Sequence, residues 1–123
     1  MREIWWVGLG GFVGANARYL LGGWIATRFG TTFPLGTFVI NITGSFVLGV
    51  IMGLLDAHLL SSTIRLAVAI GFVGAYTTFS TFSYETIRLV ENGSMLLATA
   101  NVFGSVIVGL LATIVGLAAG RGL

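Results

Sequence analysis

Four membrane-spanning helices, with no room for a soluble domain, are expected of this chain on three grounds. Of its 123 residues 56% are hydrophobic and only 8% charged, against about 25% charged in ordinary globular proteins, and the mean hydropathy is +1.01. Apolar windows at about 4–27, 34–55, 63–90 and 94–119 each reach the roughly 20 residues that a helix needs to cross a bilayer. Nineteen glycines against one proline suit membrane helices, which approach one another through small residues because leucine-rich faces gain nothing over lipid.

Composition also narrows the function. With no cysteine in the chain, disulfides, thiol chemistry and thiolate metal sites are excluded. A pI near 9.7 arises from six scattered arginines and a net charge of only +2, without the basic patch that nucleic acid requires. The single His58 falls in a short loop, and the few ionisable groups show no nucleophile–base or metal-ligand spacing, so an enzyme is not expected. The apolar run that follows Glu3 is longer than a signal-peptide core and reads as a retained span.

The first span carries Gly10, Gly14, Arg18 and Gly22 at successive i, i+4 positions. The glycines are read as a packing face. Arg18 is too deep in the span to be ordinary, because a guanidinium there must snorkel or face water, and in a vestibule its field would concentrate anions. Thr31, Thr32 and Pro34 form a stop and a restart, proline suiting the first turn where its missing N–H costs nothing. The second span repeats the i, i+4 spacing with Asn41, Ser45, Gly49 and Gly53, one turn after Thr37. Asn41 is the candidate here, since its amide can donate to an anion and accept from a neighbour without a fixed charge.

Ser61, Ser62 or Thr63 is expected to cap the third span and Ser94, in the turn Asn92-Gly93-Ser94, the fourth. The fourth span repeats the pattern with Asn101, Ser105, Gly109 and Thr113. Polar stripes on three spans exceed what packing requires and suggest a wet path. Arginines hardly orient the chain: Arg2, Arg65 and Arg121 fall on one side, Arg28 and Arg88 on the other. Such a weak bias is compatible with insertion both ways as an antiparallel homodimer, or with one orientation fixed by weak signals or a partner.

The most unusual stretch is Gly71 to Glu85, GFVGAYTTFSTFSYE. Lipid cannot satisfy exposed backbone, so irregular backbone in a span survives only against protein or a water-filled cavity. A break at Gly74 is expected to free carbonyls near Gly74 and Thr77, hard oxygen ligands that two copies could direct at a small cation. Phe79 and Phe82 share a face, and the electropositive edges of their rings favour an anion without a countercharge. Thr78, Ser80 and Thr81 add hydroxyl donors, and Glu85 follows Phe82 by three residues.

Three motifs together, Gly14-x-x-x-Arg18-Tyr19, Gly36-Thr37-x-x-x-Asn41-x-x-Gly44 and Gly71-x-x-Gly74-x-x-Thr77-Thr78-Phe79-Ser80-Thr81-Phe82-Ser83-x-Glu85, make the chain resemble the bacterial fluoride channel family, called Fluc or CrcB. The resemblance covers essentially the whole chain. It implies a multi-pass protein of the bacterial inner membrane that exports fluoride passively and keeps cytoplasmic fluoride low. It further implies a dual-topology homodimer with two antiparallel fluoride pores and a central structural sodium ion (Na+) that is not transported. On this resemblance Phe79 and Phe82 match the phenylalanines that line each pore, and Asn41 the pore asparagine. Ser80 and Thr81 match a polar track that Ser105 joins from the fourth span, and Arg18 the arginine of the first span. Gly74 and Thr77 match the positions whose backbone carbonyls bind sodium. Glu85 and Thr78 stand behind the pore wall, and Asn101 stands where some members have a tyrosine.

Two other classes compete. A small proton-coupled transporter could use Glu85 as its titrating group, although exporters of cationic drugs need a carboxylate in the first span, where this chain offers only Arg18. A non-transporting membrane assembly would need only the glycine-rich faces.

Overall fold

The computed structural model describes residues 1–122, and every regular element among them is helical. Helix α1 runs Arg2–Phe29 and ends where Gly30 takes a left-handed conformation (φ 49°, ψ 37°), its N–H donating to the Ala26 carbonyl at 3.0 Å. Pro34 occupies the cap position before α2, Leu35–Asp56. The next helical run covers 62–76 in three parts: α3 (Ser62–Ile64), a π-helical segment (Arg65–Val73) and α4 (Gly74–Tyr76). Of the caps expected for the third span Ser61 is the one used, its hydroxyl accepting from the Ile64 N–H at 3.4 Å. Helix α5 follows as Phe79–Glu91, and α6 starts after Ser94 as Met95–Gly122.

Three stretches are long and apolar enough to cross a membrane: Leu35–Asp56, Ser62–Glu91 and Met95–Gly122. Together they make the chain a multi-pass membrane protein. Helix α1 has 28 residues, long enough at about 1.5 Å per residue, but Arg18, Asn16 and its many glycines dilute its hydropathy below that of the other three. Its Gly10 and Gly14 press against the backbone of Ala67 and Phe72, which joins α1 to the π-helical segment.

The backbone departs from the expected break. Gly74 is helical (φ −59°, ψ −37°), and the extended residues are Thr77 (φ −82°, ψ 157°) and Thr78 (φ −151°, ψ 112°). The physical reason is local. Stiff β-branched side chains favour extended backbone, and the amide of Asn41 on α2 supplies the partners that Thr78 loses by leaving the helix.

The stripe on α2 also divides where one continuous polar face was expected. Gly49 and Gly53 meet Gly116 and Gly120 of α6 backbone to backbone: a Cβ added at Gly49 would lie 2.5 Å from the Thr113 carbonyl oxygen, and one at Gly53 2.6 Å from that of Leu117. This half is dry packing, and the Thr113 hydroxyl turns back to the Gly109 carbonyl of its own helix at 3.0 Å. In the other half Asn41 reaches across to Thr78, while the Ser45 hydroxyl donates to the Asn41 carbonyl of its own helix at 2.7 Å. The buried apolar side chains, among them Ile40, Val73, Tyr76 and Leu89, are few, and most large apolar residues point outward, as lipid permits.

Candidate functional site

The site is assembled around the two extended threonines. Asn41 Nδ2 donates to the Thr78 carbonyl at 3.1 Å, and the Thr78 N–H donates to Asn41 Oδ1 at 2.8 Å. The side-chain amide thus pairs with the backbone as a second peptide group would, and the pairing leaves the second hydrogen on Nδ2 unused. Gly44, one turn on, has no Cβ because the Thr77 methyl occupies its place. Thr78 then caps α5, its hydroxyl accepting from the Thr81 N–H at 3.2 Å and donating to the Thr81 hydroxyl at 3.0 Å, with the Ser80 hydroxyl 3.3 Å away. These hydroxyls cluster because an N-cap gathers the first turn of a helix around one oxygen.

Two cavities meet at Thr78. A cleft of ≈ 300 Å³ is lined by Asn41, Ser45, Thr77, Phe79, Phe82 and Ser105 together with Thr78. The rings of Phe79 and Phe82 lie 5.8 Å apart and tilted by 45°. A larger cavity of ≈ 500 Å³ lies on the other side of Thr78, lined among others by Arg18, Thr37, Thr81, Glu85 and Arg88. Arg18 Nε donates to the Ala75 carbonyl at 3.1 Å, near the end of α4 where helical donors run out. Its guanidinium therefore supports the break as well as charging the cavity. Glu85 Oε1 is enclosed and has no hydrogen-bond partner among the described residues.

The expected residues are thus divided. Asn41, Phe79, Phe82 and Ser105 share the cleft, whereas Arg18, Thr81 and Glu85 belong to the larger cavity. Thr78, expected behind the wall, lines both cavities, and Ser80 is exposed and lines neither. Thr86 was not singled out by sequence reasoning, yet its hydroxyl accepts from Asn101 Nδ2 at 2.9 Å. Its position four residues after Phe82, on the same helix face, was the available signal.

At Gly74 and Thr77 the oxygens fit a hard cation in type. The Thr78 N–H would close a helical bond on the Gly74 carbonyl, but it turns to Asn41 instead. Gly74 is exposed, with nothing within 4 Å of an added Cβ. One chain offers two such carbonyls here, fewer than a hard cation takes. No group of three His, Asp or Glu side chains that could hold a metal occurs among the described residues.

Residues 5–117 match the family model described as "CrcB-like protein, Camphor Resistance (CrcB)". The chain belongs to the CrcB family. Curated relatives in this family cover nearly its full length. The fluoride-specific ion channel FluC of Acidobacterium capsulatum is 52% identical over 117 residues, 94% of each chain. That of Geotalea daltonii is 47% identical over 122 residues, 98% of each chain. The fluoride-specific ion channel FluC 1 of Methanosarcina acetivorans is 44% identical over 117 residues, 94% of this chain and 88% of the relative. The matched range takes in most of α1, all of α2 and the Gly71–Glu85 stretch, which supply Arg18, Asn41 and Thr78 to the site.

Proposed function

We propose that the chain is a fluoride-selective passive channel of the bacterial inner membrane that exports fluoride and lowers its cytoplasmic concentration. The observation that carries this reading is the cleft of Asn41, Ser45, Phe79, Phe82 and Ser105, whose polar lining is neutral and which meets the Arg18 cavity at Thr78. The names of its CrcB-family relatives support the same anion. Fluoride is small and strongly hydrated, so a narrow path must replace its water with several donors close together. The unused amide hydrogen of Asn41 and the edges of the two rings are groups of that kind, and the Ser105 hydroxyl joins them by rotating away from its long 3.4 Å bond to Asn101 Oδ1. Chloride, larger and less avid for hydrogen bonds, gains less from them.

In this reading α1 supplies the fourth crossing, Arg18 draws anions into the larger cavity, and Thr78 passes them toward the phenylalanines. Two copies pair as an antiparallel homodimer, giving two pores. The Gly74 and Thr77 carbonyls of both copies would hold a structural sodium ion, whose charge would fix the two breaks against each other. Efflux from proteoliposomes loaded with fluoride or chloride tests the reading. Fluoride leaves rapidly, chloride hardly at all, and Phe82→Ile slows fluoride about 10-fold, a barrier change of about 1.4 kcal/mol. Well-folded protein without fluoride efflux overturns it.

The enclosed, unpartnered Oε1 of Glu85 favours one second reading, a small proton-coupled transporter with Glu85 as its titrating group. Flux that depends steeply on pH and loses that dependence in Glu85→Gln would establish it. Flux indifferent to that substitution and to pH removes it.

A further inference from the structure

Asn101 is the most buried polar side chain described, 2% exposed, yet it does not line the cleft. It sits on α6 between two groups that belong to opposite walls. Its Nδ2 donates to Thr86 Oγ1 at 2.9 Å, and Thr86 Oγ1 lies 2.8 Å from the carbonyl oxygen of Phe82. On its other side Ser105 Oγ reaches Asn101 Oδ1 at 3.4 Å. The directions are fixed by counting hydrogens. The Phe82 carbonyl can only accept, so the single hydroxyl hydrogen of Thr86 goes there, and Thr86 can then only accept from the nitrogen of the amide. That orients Oδ1 toward Ser105.

We infer that Asn101 and Thr86 form a bracket that sets the distance between the Phe82 wall on α5 and the Ser105 wall on α6, so that Asn101 is a positioning residue for Phe82. The inference rests on the proposed channel reading of the cleft. Both bracketed residues line the cleft, and neither Asn101 nor Thr86 does. The bracket complements Asn41, which holds the start of α5 at Thr78. One amide therefore fixes where α5 begins, and a second fixes its rotation one turn beyond Phe82. A buried amide with this geometry has one satisfied arrangement, and removing either partner leaves a buried polar group without a bond. The Thr86 bond to the Phe82 carbonyl is the ordinary one of a helical threonine; what relates the bracket to the cleft is that Thr86 stands one turn after Phe82 and Asn101 one turn before Ser105.

The test uses the full-length protein in proteoliposomes. Thr86→Val keeps the shape of the side chain and removes the hydroxyl, Thr86→Ser restores the hydroxyl, and Asn101→Leu removes the other partner. Thr86→Val and Asn101→Leu are expected to slow fluoride efflux about 10-fold and to lower the fluoride-to-chloride ratio, while Thr86→Ser recovers both. In the Phe82→Ile background, Thr86→Val is expected to add no further loss, because the two changes act on one wall. Efflux from Thr86→Val within about twofold of the parent, or losses that multiply in the double variant, overturns the bracket. A second measurement separates this from the channel reading: 4-fluorophenylalanine placed at residue 82 and followed by fluorine NMR. If the parent passes no fluoride, the channel reading falls, and the resonance still decides the bracket. A resonance displaced in Thr86→Val but not in Thr86→Ser supports it, and one unchanged in both overturns it.

Discussion

The two halves of α2 meet their neighbours in opposite ways. From Gly49 to Gly53 the helix lies against the α6 glycines with no side chain between the backbones, while nearer its start Asn41 reaches the extended Thr78 through its side-chain amide. One i, i+4 stripe therefore serves as a dry seam and as a polar wall. The difference teaches that small residues and polar residues on a membrane helix need separate reading. Glycine permits close approach and rigid spacing, whereas an amide invites irregular backbone by supplying the partners that lipid cannot.

The comparison is broken most severely at the seam. Gly116→Leu drives a side chain into the Phe46 carbonyl, where backbone and not a flexible chain end must yield. Overpacking of this kind costs about 3 kcal/mol, so the purified variant is expected to melt far below the parent or to be recovered only as aggregate. A variant that melts with the parent would show that the seam is not tight. Asn41→Ala comes next. It removes both bonds to Thr78 and leaves two backbone groups unpaired, and it is expected to slow fluoride efflux about 100-fold and to lower the melting temperature by less than Gly116→Leu does. An unchanged rate would detach the polar wall from transport. The smallest effect belongs to the end of the seam, where Arg121 donates to Asp56 Oδ2 at 3.1 and 2.8 Å on the exposed surface. Asp56→Asn is expected to cost under about 1 kcal/mol, less at high salt, and to leave efflux alone.

Much of this contrast was legible in the residues. The glycines, hydroxyls and phenylalanines of the Gly71–Glu85 stretch marked the segment within which the backbone leaves the helix, and Ser61 was among the residues whose chemistry announced a helix start. The position of the break was not legible. Gly74 is where a chain bends easily, but which residue leaves the helix depends on a partner, and Asn41 lies 37 residues from Thr78 in the chain. The π-helical segment at Arg65–Val73 left no mark in a pattern read at 3.6 residues per turn. The division of the α2 stripe was hidden for a related reason: spacing shows which residues share a face but not which helix covers each end. Thr86 was overlooked because a lone threonine in a helix usually bonds its own preceding turn, and only the Asn101 amide on α6 gives its hydroxyl a second role.

The central claim is that fluoride passes through the cleft shared by Asn41, Phe82 and Ser105, and the absence of cysteine from the chain makes it directly testable. A single cysteine is introduced by Ser105→Cys, with Ser94→Cys in the α5–α6 turn as control, and fluoride efflux is recorded before and after treatment with a bulky methanethiosulfonate reagent. The account predicts that the reagent stops efflux through Ser105→Cys and leaves the control and the parent unaffected. Efflux that continues unchanged through fully modified Ser105→Cys would contradict it.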